Sequence, residues 1–231
     1  MARKPEAESR KKGDRRSKTA VKKAAGSRKP EARKPKARKP KARKKGPRAS
    51  GLRLPAAVPK TAPYSEGKWA ESFTRAPGER RYWLVKSEPS VFSFDDLLRA
   101  PGRTTYWDGV RNFAARNFLR DGMRLGDRVF FYHSMADPQH IAGICEVVRE
   151  SYPDFTALDP RHEHFDPESN PDAPQWYMVD LRAVAQFTKP VTLPEIKARK
   201  ELAEMALLRI GRLSVTPVRE REWNVIVGLA G

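Results

Sequence analysis

Hydrophobic positions are distributed unevenly along this chain. Residues 1–60 hold almost no apolar side chain larger than alanine, whereas apolar residues recur at regular spacing from about residue 81 onward. A segment that cannot bury apolar surface does not offset the entropy lost on ordering. We therefore predict a disordered arm at 1–60, a Pro-containing linker at 61–79 and a folded domain at 80–231.

Within the folded region, period-two alternation and aromatic or β-branched runs predict strands at 81–86, 128–133, 140–148 and 175–187, with an extended segment at 212–218. A long surface excursion is expected between the last two strand candidates, at 151–174. Strands separated by irregular helical insertions favour a mixed α/β fold. We expect a curved β-barrel of about five to six strands with peripheral helices.

The helical signals are shorter. Ser93 begins a capping-box pattern that predicts a helix ending near Pro101. Helical spacing predicts further helices at 111–120, 194–208 and 220–229, the last with Trp223 and Ile226 facing inward. The pattern leaves open whether the linker aromatics pack on the domain; they are Tyr64, Trp69 and Phe73.

The charge is concentrated in the predicted arm. The net charge is +19, and residues 1–60 contain 24 Lys and Arg against 4 Asp and Glu, so the remainder is close to neutral. Pentapeptides of the type RKPKA repeat through 28–42. Such a thread binds polyanions because each neutralised phosphate releases counterions. The arm contains no Trp or Phe and only two leucines, Leu52 and Leu54, so it has little to anchor it in lipid, which favours nucleic acid over membrane. A solubility tail and a nuclear-import signal are the alternatives.

Other features exclude classes of protein. The single cysteine, Cys145, cannot form an internal disulfide, and it lies in an apolar stretch typical of a buried position. The basic start has no apolar run behind it, and no stretch approaches the length of a membrane span. We expect an intracellular protein that is cytoplasmic and nucleoid-associated in a bacterium, or nuclear in a eukaryote.

Four sequence blocks follow one another along the folded region: WLVKSEP at 83–89, WDGVRN at 107–112, FYHS at 131–134 and RLSV at 212–215. Together they resemble the motifs of EVE domains, which belong to the PUA-like superfamily. The resemblance runs from about residue 80 to 229. It implies a PUA-like barrel and a pocket that holds a flipped, modified base, with modified cytosine in DNA favoured.

A flipped base offers two π-faces and one hydrogen-bonding edge, so its pocket needs an aromatic wall and short polar groups. Trp107 is the candidate wall. The groups expected at the base edge are Ser87, Asn112, Ser134, Ser214 and Tyr132. The groups expected to meet phosphate or to support the site are Lys86, Glu88 and Arg111.

Structural interpretations compete with each assignment. Trp107 can close the core, Asn112 can cap a helix and Ser87 can serve a turn. Tyr132 and His133 alternate on a strand, so at most one faces the pocket. The remaining tryptophans of the folded region are expected in the core, namely Trp83, Trp176 and Trp223.

Enzymatic interpretations have little support. His162 and His164 resemble a fragment of a metal site, but their loop contains no cysteine. Cys145 lies too deep in apolar sequence to act as a nucleophile. We expect no catalytic residue, metal or cofactor. DNA is the favoured partner, and an RNA-binding module or a nucleic-acid-processing enzyme remains as an alternative.

Overall fold

The structure, a computed structural model, describes residues 67–231. The predicted arm and Tyr64 lie outside the described residues. The strands are β1 (Tyr82–Ser87), β2 (Thr104–Tyr106), β3 (Arg128–His133), β4 (His140–Pro153), β5 (Tyr177–Thr192) and β6 (Val215–Val218). The α-helices are α1 (Ala70–Phe73), α2 (Phe94–Arg99), α3 (Phe113–Asn117), α4 (Leu193–Ala198), α5 (Ala206–Arg209) and α6 (Glu220–Ala230).

The six strands form one sheet in the order β2-β5-β4-β3-β1-β6. β1 and β3 pair in parallel, and the other neighbours pair antiparallel. The mixed α/β class and the curved sheet of about six strands are confirmed, although the sheet stays open within residues 67–231. Neither edge strand readily pairs with a further strand. β2 has only three residues, and β6 carries Pro217, which has no N–H to donate.

The two faces of the sheet bury different side chains. On β3, Val129 and Phe131 enter a first core, while Phe130 and Tyr132 enter a second. Period-two alternation of a strand that is covered on both faces has this consequence. Phe130 stacks on Trp223 with ring centres 3.9 Å apart, so α6 closes the second core as predicted.

The helix predicted at 194–208 is wrong as one element, because it is divided into α4, a 3-10 turn and α5. Ile196, Leu202 and Met205 are all fully buried in the second core. On a continuous helix Leu202 and Met205 would lie roughly 240° and 180° around the axis from Ile196, at 100° per residue. The break at Arg199, where the backbone is extended, lets all three face one core.

The helix predicted at 111–120 is also shorter than expected, since α3 passes into a π-helical turn at Phe118–Gly122. Gly122 closes this turn against Trp83. A Cβ at position 122 would lie 2.6 Å from the Trp83 ring, so the turn can approach the first core only through a glycine.

Part of the predicted linker packs on the domain. Trp69 and Phe73 both contact the Phe118 ring, with ring centres 5.6 and 5.5 Å apart. Arg75 then forms two hydrogen bonds with the buried carboxylate of Asp127, of 2.8 and 2.9 Å. Two of the three linker aromatics, Trp69 and Phe73, therefore pack on the folded domain.

Candidate nucleic-acid interface

Trp107 lies directly after β2, where its backbone N–H donates to the Val179 carbonyl at 2.8 Å. The indole is 8% exposed and meets the Phe131 ring edge-on, with ring centres 5.4 Å apart. Trp107 therefore borders the first core in this conformation and does not form the open wall predicted from the sequence.

The loop after Trp107 is fixed by Asp154, which follows β4. The Asp154 carboxylate accepts the backbone N–H of Gly109 at 3.1 Å, a guanidinium N–H of Arg111 at 2.8 Å, and the N–H and hydroxyl of Thr156. Burial by itself raises the pKa of this carboxyl. The hydrogen bonds from Thr156 and Arg111 and the positive charge of Arg111 outweigh burial and hold the pKa below its usual range.

A covering segment, residues 159–166, lies over this loop. Gly109 has a φ of +75°, and a Cβ there would come within 2.4 Å of the His164 imidazole. Arg111 donates to the His164 carbonyl, and the His162 Nε2 lies 3.9 Å from an Asp108 carboxylate oxygen. Glycine is thus required at 109 both for its backbone conformation and for this close approach.

A second group of candidate residues lies where β1 and β3 end and β6 begins. This strand-end cluster consists of Lys86, Ser87, Ser134 and Ser214. The Ser134 N–H donates to the Ser87 carbonyl, and the Lys86 N–H donates to the Ser214 carbonyl, each at 2.9 Å. The Ser87 hydroxyl donates to the Phe92 carbonyl at 2.6 Å. These contacts give Ser87 the turn role weighed from the sequence.

Two charged residues flank the strand-end cluster. The Lys86 ammonium donates to the Gly211 carbonyl at 2.7 Å, and burial lowers the pKa of Lys86. The Glu88 side chain is exposed, and its backbone carbonyl accepts the N–H groups of Val91 and Phe92.

Asn112 and Tyr132 lie apart from these groups. The Asn112 side chain accepts the N–H groups of Ala114 and Ala115, so it caps α3 at the surface. Tyr132 faces the second core, on the opposite side of the sheet from Trp107, and donates to Gln139 at 3.0 Å. Burial raises its pKa to about 12. The structure therefore does not bring Tyr132 to Trp107, because strand alternation turns it away.

His133 occupies the face that Tyr132 leaves. Its Nε2 accepts the Phe94 N–H at 3.1 Å, and its Nδ1 lies 3.2 Å from Nε2 of His140. Because a backbone N–H can only donate, Nδ1 carries the His133 proton and donates to His140. Burial, together with the neighbouring His140, lowers the pKa of His133. His133 is therefore neutral in this arrangement.

Sequence reasoning missed two features of the site. Asp154 follows a strand by one residue, and no motif marked it. Phe113, which is 55% exposed, stacks on Trp176 with ring centres 5.1 Å apart, and Arg116 lies over its ring. An aromatic residue directly after the candidate N-cap, Asn112, was the available signal in the sequence. Trp176 itself is buried, as predicted.

Two features are absent from the described residues. Among residues 67–231, no helix has both the length and the apolar character needed to cross a membrane. Across the same part of the chain, no group of three or more His, Cys, Asp or Glu side chains is placed to hold a metal ion.

The curved six-stranded sheet and the motif-bearing loops at its edge define an EVE-type domain. The chain belongs to the EVE domain family, whose sequence model matches residues 81–229. It is 39% identical to thymocyte nuclear protein 1 of Homo sapiens over 165 residues, which span 64% of this chain and 73% of that protein. The resemblance inferred from the four sequence blocks is confirmed.

Solved structures agree with this assignment. A hypothetical protein from Leishmania major is 48% identical, with a TM-score of 0.63 over 66% of this chain and 95% of that one. A crystal structure of the human THYN1 protein in complex with 5-methylcytosine containing DNA is 39% identical. Its TM-score is 0.63 over 65% of this chain and 97% of that one.

Proposed function

We propose that this protein binds DNA containing modified cytosine and holds the modified base, flipped from the duplex, against Trp107. The basic arm contributes contacts to the phosphate backbone. The observation that carries the proposal is the 39% identical human structure described in complex with 5-methylcytosine containing DNA, which aligns over nearly all of its own length. In this account the protein is a reader of a base and carries out no reaction on it.

The loop geometry supports a site that opens on binding. Trp107 is almost covered, and the covering segment reaches the loop through His164 on Gly109 and through Arg111. The imidazoles of His162 and His164 remain about one-third exposed. In this proposal the covering segment moves outward together with the loop after Trp107 and exposes the indole to the base, a loop rearrangement of the kind seen in a substantial minority of complexes.

Arg111 is placed to take part in this exchange. It donates to the His164 carbonyl and pairs with Asp154 at 2.8 Å, so moving the covering segment frees guanidinium donors while Asp154 keeps the side chain in place. A guanidinium fixed in this way suits a phosphate oxygen or the polar edge of a base. Stacking of the base on Trp107 contributes roughly 1–3 kcal/mol.

The charge distribution supports a division of labour. Residues 1–60 carry 24 Lys and Arg against 4 Asp and Glu, and the rest of the chain is near neutrality. Backbone contacts supply affinity without sequence information, and contacts to the base supply selectivity. We expect the arm to set the salt dependence of binding and the domain to set the base preference.

The base preference is tested by competition between duplexes with and without a single methylcytosine, using the full chain. A methyl group read by apolar contact contributes about 1 kcal/mol, or roughly fivefold. Trp107→Phe keeps an aromatic face and should keep this preference. Trp107→Leu keeps apolar volume but has no π-face, and it should bind both duplexes equally. A folded Trp107→Leu protein with full preference would contradict the proposal, and tighter binding to structured RNA would favour an RNA-binding module.

The arm is tested in the full chain by replacing the Lys and Arg of residues 28–45 with Gln. For every phosphate that the arm no longer neutralises, the slope of log affinity against log salt should fall by about 0.9. The ratio of affinities for methylated and unmethylated duplex should stay the same. An unchanged salt slope would contradict the division of labour.

A further inference from the structure

A cavity of about 220 Å³ lies between α1 and α3. It shares no lining residue with the loop that follows Trp107. One side is built by the segment that precedes β1 and the other by α3 and the turn after it. The side chains that matter below are Lys68, Trp69, Phe73, Ala114, Asn117 and Phe118.

Aromatic rings supply most of the apolar lining. Phe73 stacks on Phe118 with an interplanar angle of 13°, and Trp69 meets Phe118 edge-on at 88°. This aromatic corner is braced, because Phe118 is buried in the first core. Trp69 is only partly buried, so its ring borders both the cavity and solvent.

Polar groups lie at the rim. The Lys68 ammonium is 5.1 Å from the centre of the Trp69 ring, and the Asn117 side chain accepts a hydrogen bond from the Arg116 guanidinium at 2.9 Å. An amide offers both donors and an acceptor, which suits the edge of a base, and an ammonium suits a phosphate. The aromatic wall, amide and cation together resemble a platform for an unstacked base.

Size restricts the occupant. Pockets for drug-sized molecules have roughly 300–1,000 Å³. A space of about 220 Å³ that is open to solvent suits one planar ring system with its sugar and phosphate outside. A peptide strand or helix would require a longer groove.

The place of the cavity in the chain agrees with a nucleic-acid occupant. Gly67 lines it, and six residues separate Gly67 from Lys60 at the end of the basic arm. Seven residue steps span at most about 25 Å, so chain length allows Lys60, at the end of the arm, to reach a phosphate chain that leaves the cavity.

We propose that this cavity is a second base subsite, in which one unstacked nucleobase of the bound strand stacks on Trp69 without its modification being read. The subsite rests on the proposed function only in taking nucleic acid as the ligand. It adds affinity for single-stranded or locally opened nucleic acid, whereas Trp107 is responsible for selectivity.

Three substitutions in the full chain test the subsite. Trp69→Ala removes the wall, Trp69→Phe keeps an aromatic face, and Ala114→Leu fills the cavity while keeping every aromatic ring. Fluorescence anisotropy is measured with labelled oligothymidine and with duplexes carrying one methylcytosine or one cytosine. Trp69→Ala and Ala114→Leu should weaken binding to oligothymidine about tenfold, and Trp69→Phe should stay within threefold of the unaltered chain. None of them should change the methylcytosine-to-cytosine ratio.

Thermal unfolding of each variant separates loss of binding from loss of structure. If thermal unfolding shows that Trp69→Ala destabilises α1, the test of the subsite rests on Ala114→Leu. Unchanged affinity for oligothymidine in a folded Ala114→Leu protein would overturn the subsite. The same conclusion follows if Ala114→Leu lowers the melting temperature but not the affinity, because the altered cavity then has no part in binding oligothymidine. The unaltered chain could also show no methylcytosine preference while Trp69→Ala and Ala114→Leu both lose affinity for oligothymidine. In that case the proposed selectivity fails and the subsite stands.

Discussion

Asp127 and Asp154 are both buried carboxylates, and each gathers donors from a loop that is distant in sequence. Asp127 accepts from the Arg75 guanidinium, the Trp83 indole and the backbone N–H groups of Arg81 and Arg124. Asp154 accepts from Gly109, Arg111 and Thr156. In each case one arginine balances the charge, and N–H or hydroxyl groups satisfy the remaining lone pairs.

The difference lies in what each loop carries. The donors of Asp127 join the segment before β1 to the first core, and none of them was a candidate for binding. The donors of Asp154 belong largely to the WDGVRN motif, with Arg111 among the predicted site residues. The same electrostatic arrangement therefore stabilises the fold in one place and positions a binding loop in the other. Substitutions should separate stability from selectivity accordingly.

The largest effect is expected from Asp127→Ala. The substitution leaves the Arg75 charge and the buried Trp83 N–H without their acceptor, and removing one partner of a buried ion pair costs about 3–5 kcal/mol. Denaturant unfolding should show a loss of that size. The surface pair of Asp121 and Arg120 supplies the control, since Asp121→Ala should cost less than about 1 kcal/mol. Similar losses for the two variants would remove the structural role given to Asp127.

A smaller effect on stability, and a larger one on binding, is expected from Asp154→Asn. Because asparagine keeps one acceptor oxygen, we expect a loss of about 1–3 kcal/mol for the hydrogen bonds to Gly109 and Arg111 that an amide cannot fully replace. The preference for methylcytosine should fall while binding to unmodified duplex changes little. Asp172→Asn, at an exposed position outside the covering segment, is the matched control. Full preference in Asp154→Asn would mean that this carboxylate does not position the site.

Acid should distinguish Asp154 further. Its pKa is below the ordinary value in the folded protein, so its contribution to stability is present above the unfolded pKa of about 3.9. The contribution is lost as the pH falls through the folded pKa. The free energy of unfolding of the unaltered chain, measured with denaturant, should therefore fall between pH 7 and pH 3 by an amount that includes the contribution of Asp154. Asp154→Asn lacks this contribution at every pH, so its stability should fall less over the same range. Parallel pH curves for the two proteins would contradict the assignment.

The smallest effect is expected from His133, which contributes in its neutral form. Its pKa is lowered mainly by burial and also by His140, against the opposing charge of Asp95. Its contribution is therefore present above the unfolded pKa of about 6.5 and is lost as the pH falls through the folded pKa. The glutamine of His133→Gln can still accept from the Phe94 N–H and donate to His140. Because it does not titrate, the free energy of unfolding of this variant should depend less on pH between pH 7.5 and pH 5. A slope equal to that of the unaltered chain would exclude His133 as its source.

Much of the fold followed from local patterns. Alternation on β3 and β5, the capping box at Ser93 and the inward Trp223 of α6 depend on neighbours in sequence, and each agrees with the structure. The division of 194–208 was not accessible in this way. It depends on three side chains sharing a core that other elements create.

The site was less predictable for a related reason. The motifs identified the loop at 107–112 and the strand ends that carry Ser87 and Ser134. They could not show that Asp154 holds the loop, that His164 covers Gly109, or that a bulge between Phe131 and Tyr132 precedes the position of His133. Those contacts join segments that lie far apart in sequence, and their residue types are common on any polar surface.

The account is tested most directly by NMR on the full chain bound to a duplex whose single methylcytosine carries a ¹³C-labelled methyl group. If the base lies against Trp107, that methyl group should show nuclear Overhauser effects to the indole protons of Trp107 and a ring-current shift to high field. Contacts to Trp69 without any to Trp107, or a methyl signal unchanged from that of the free duplex, would contradict the account.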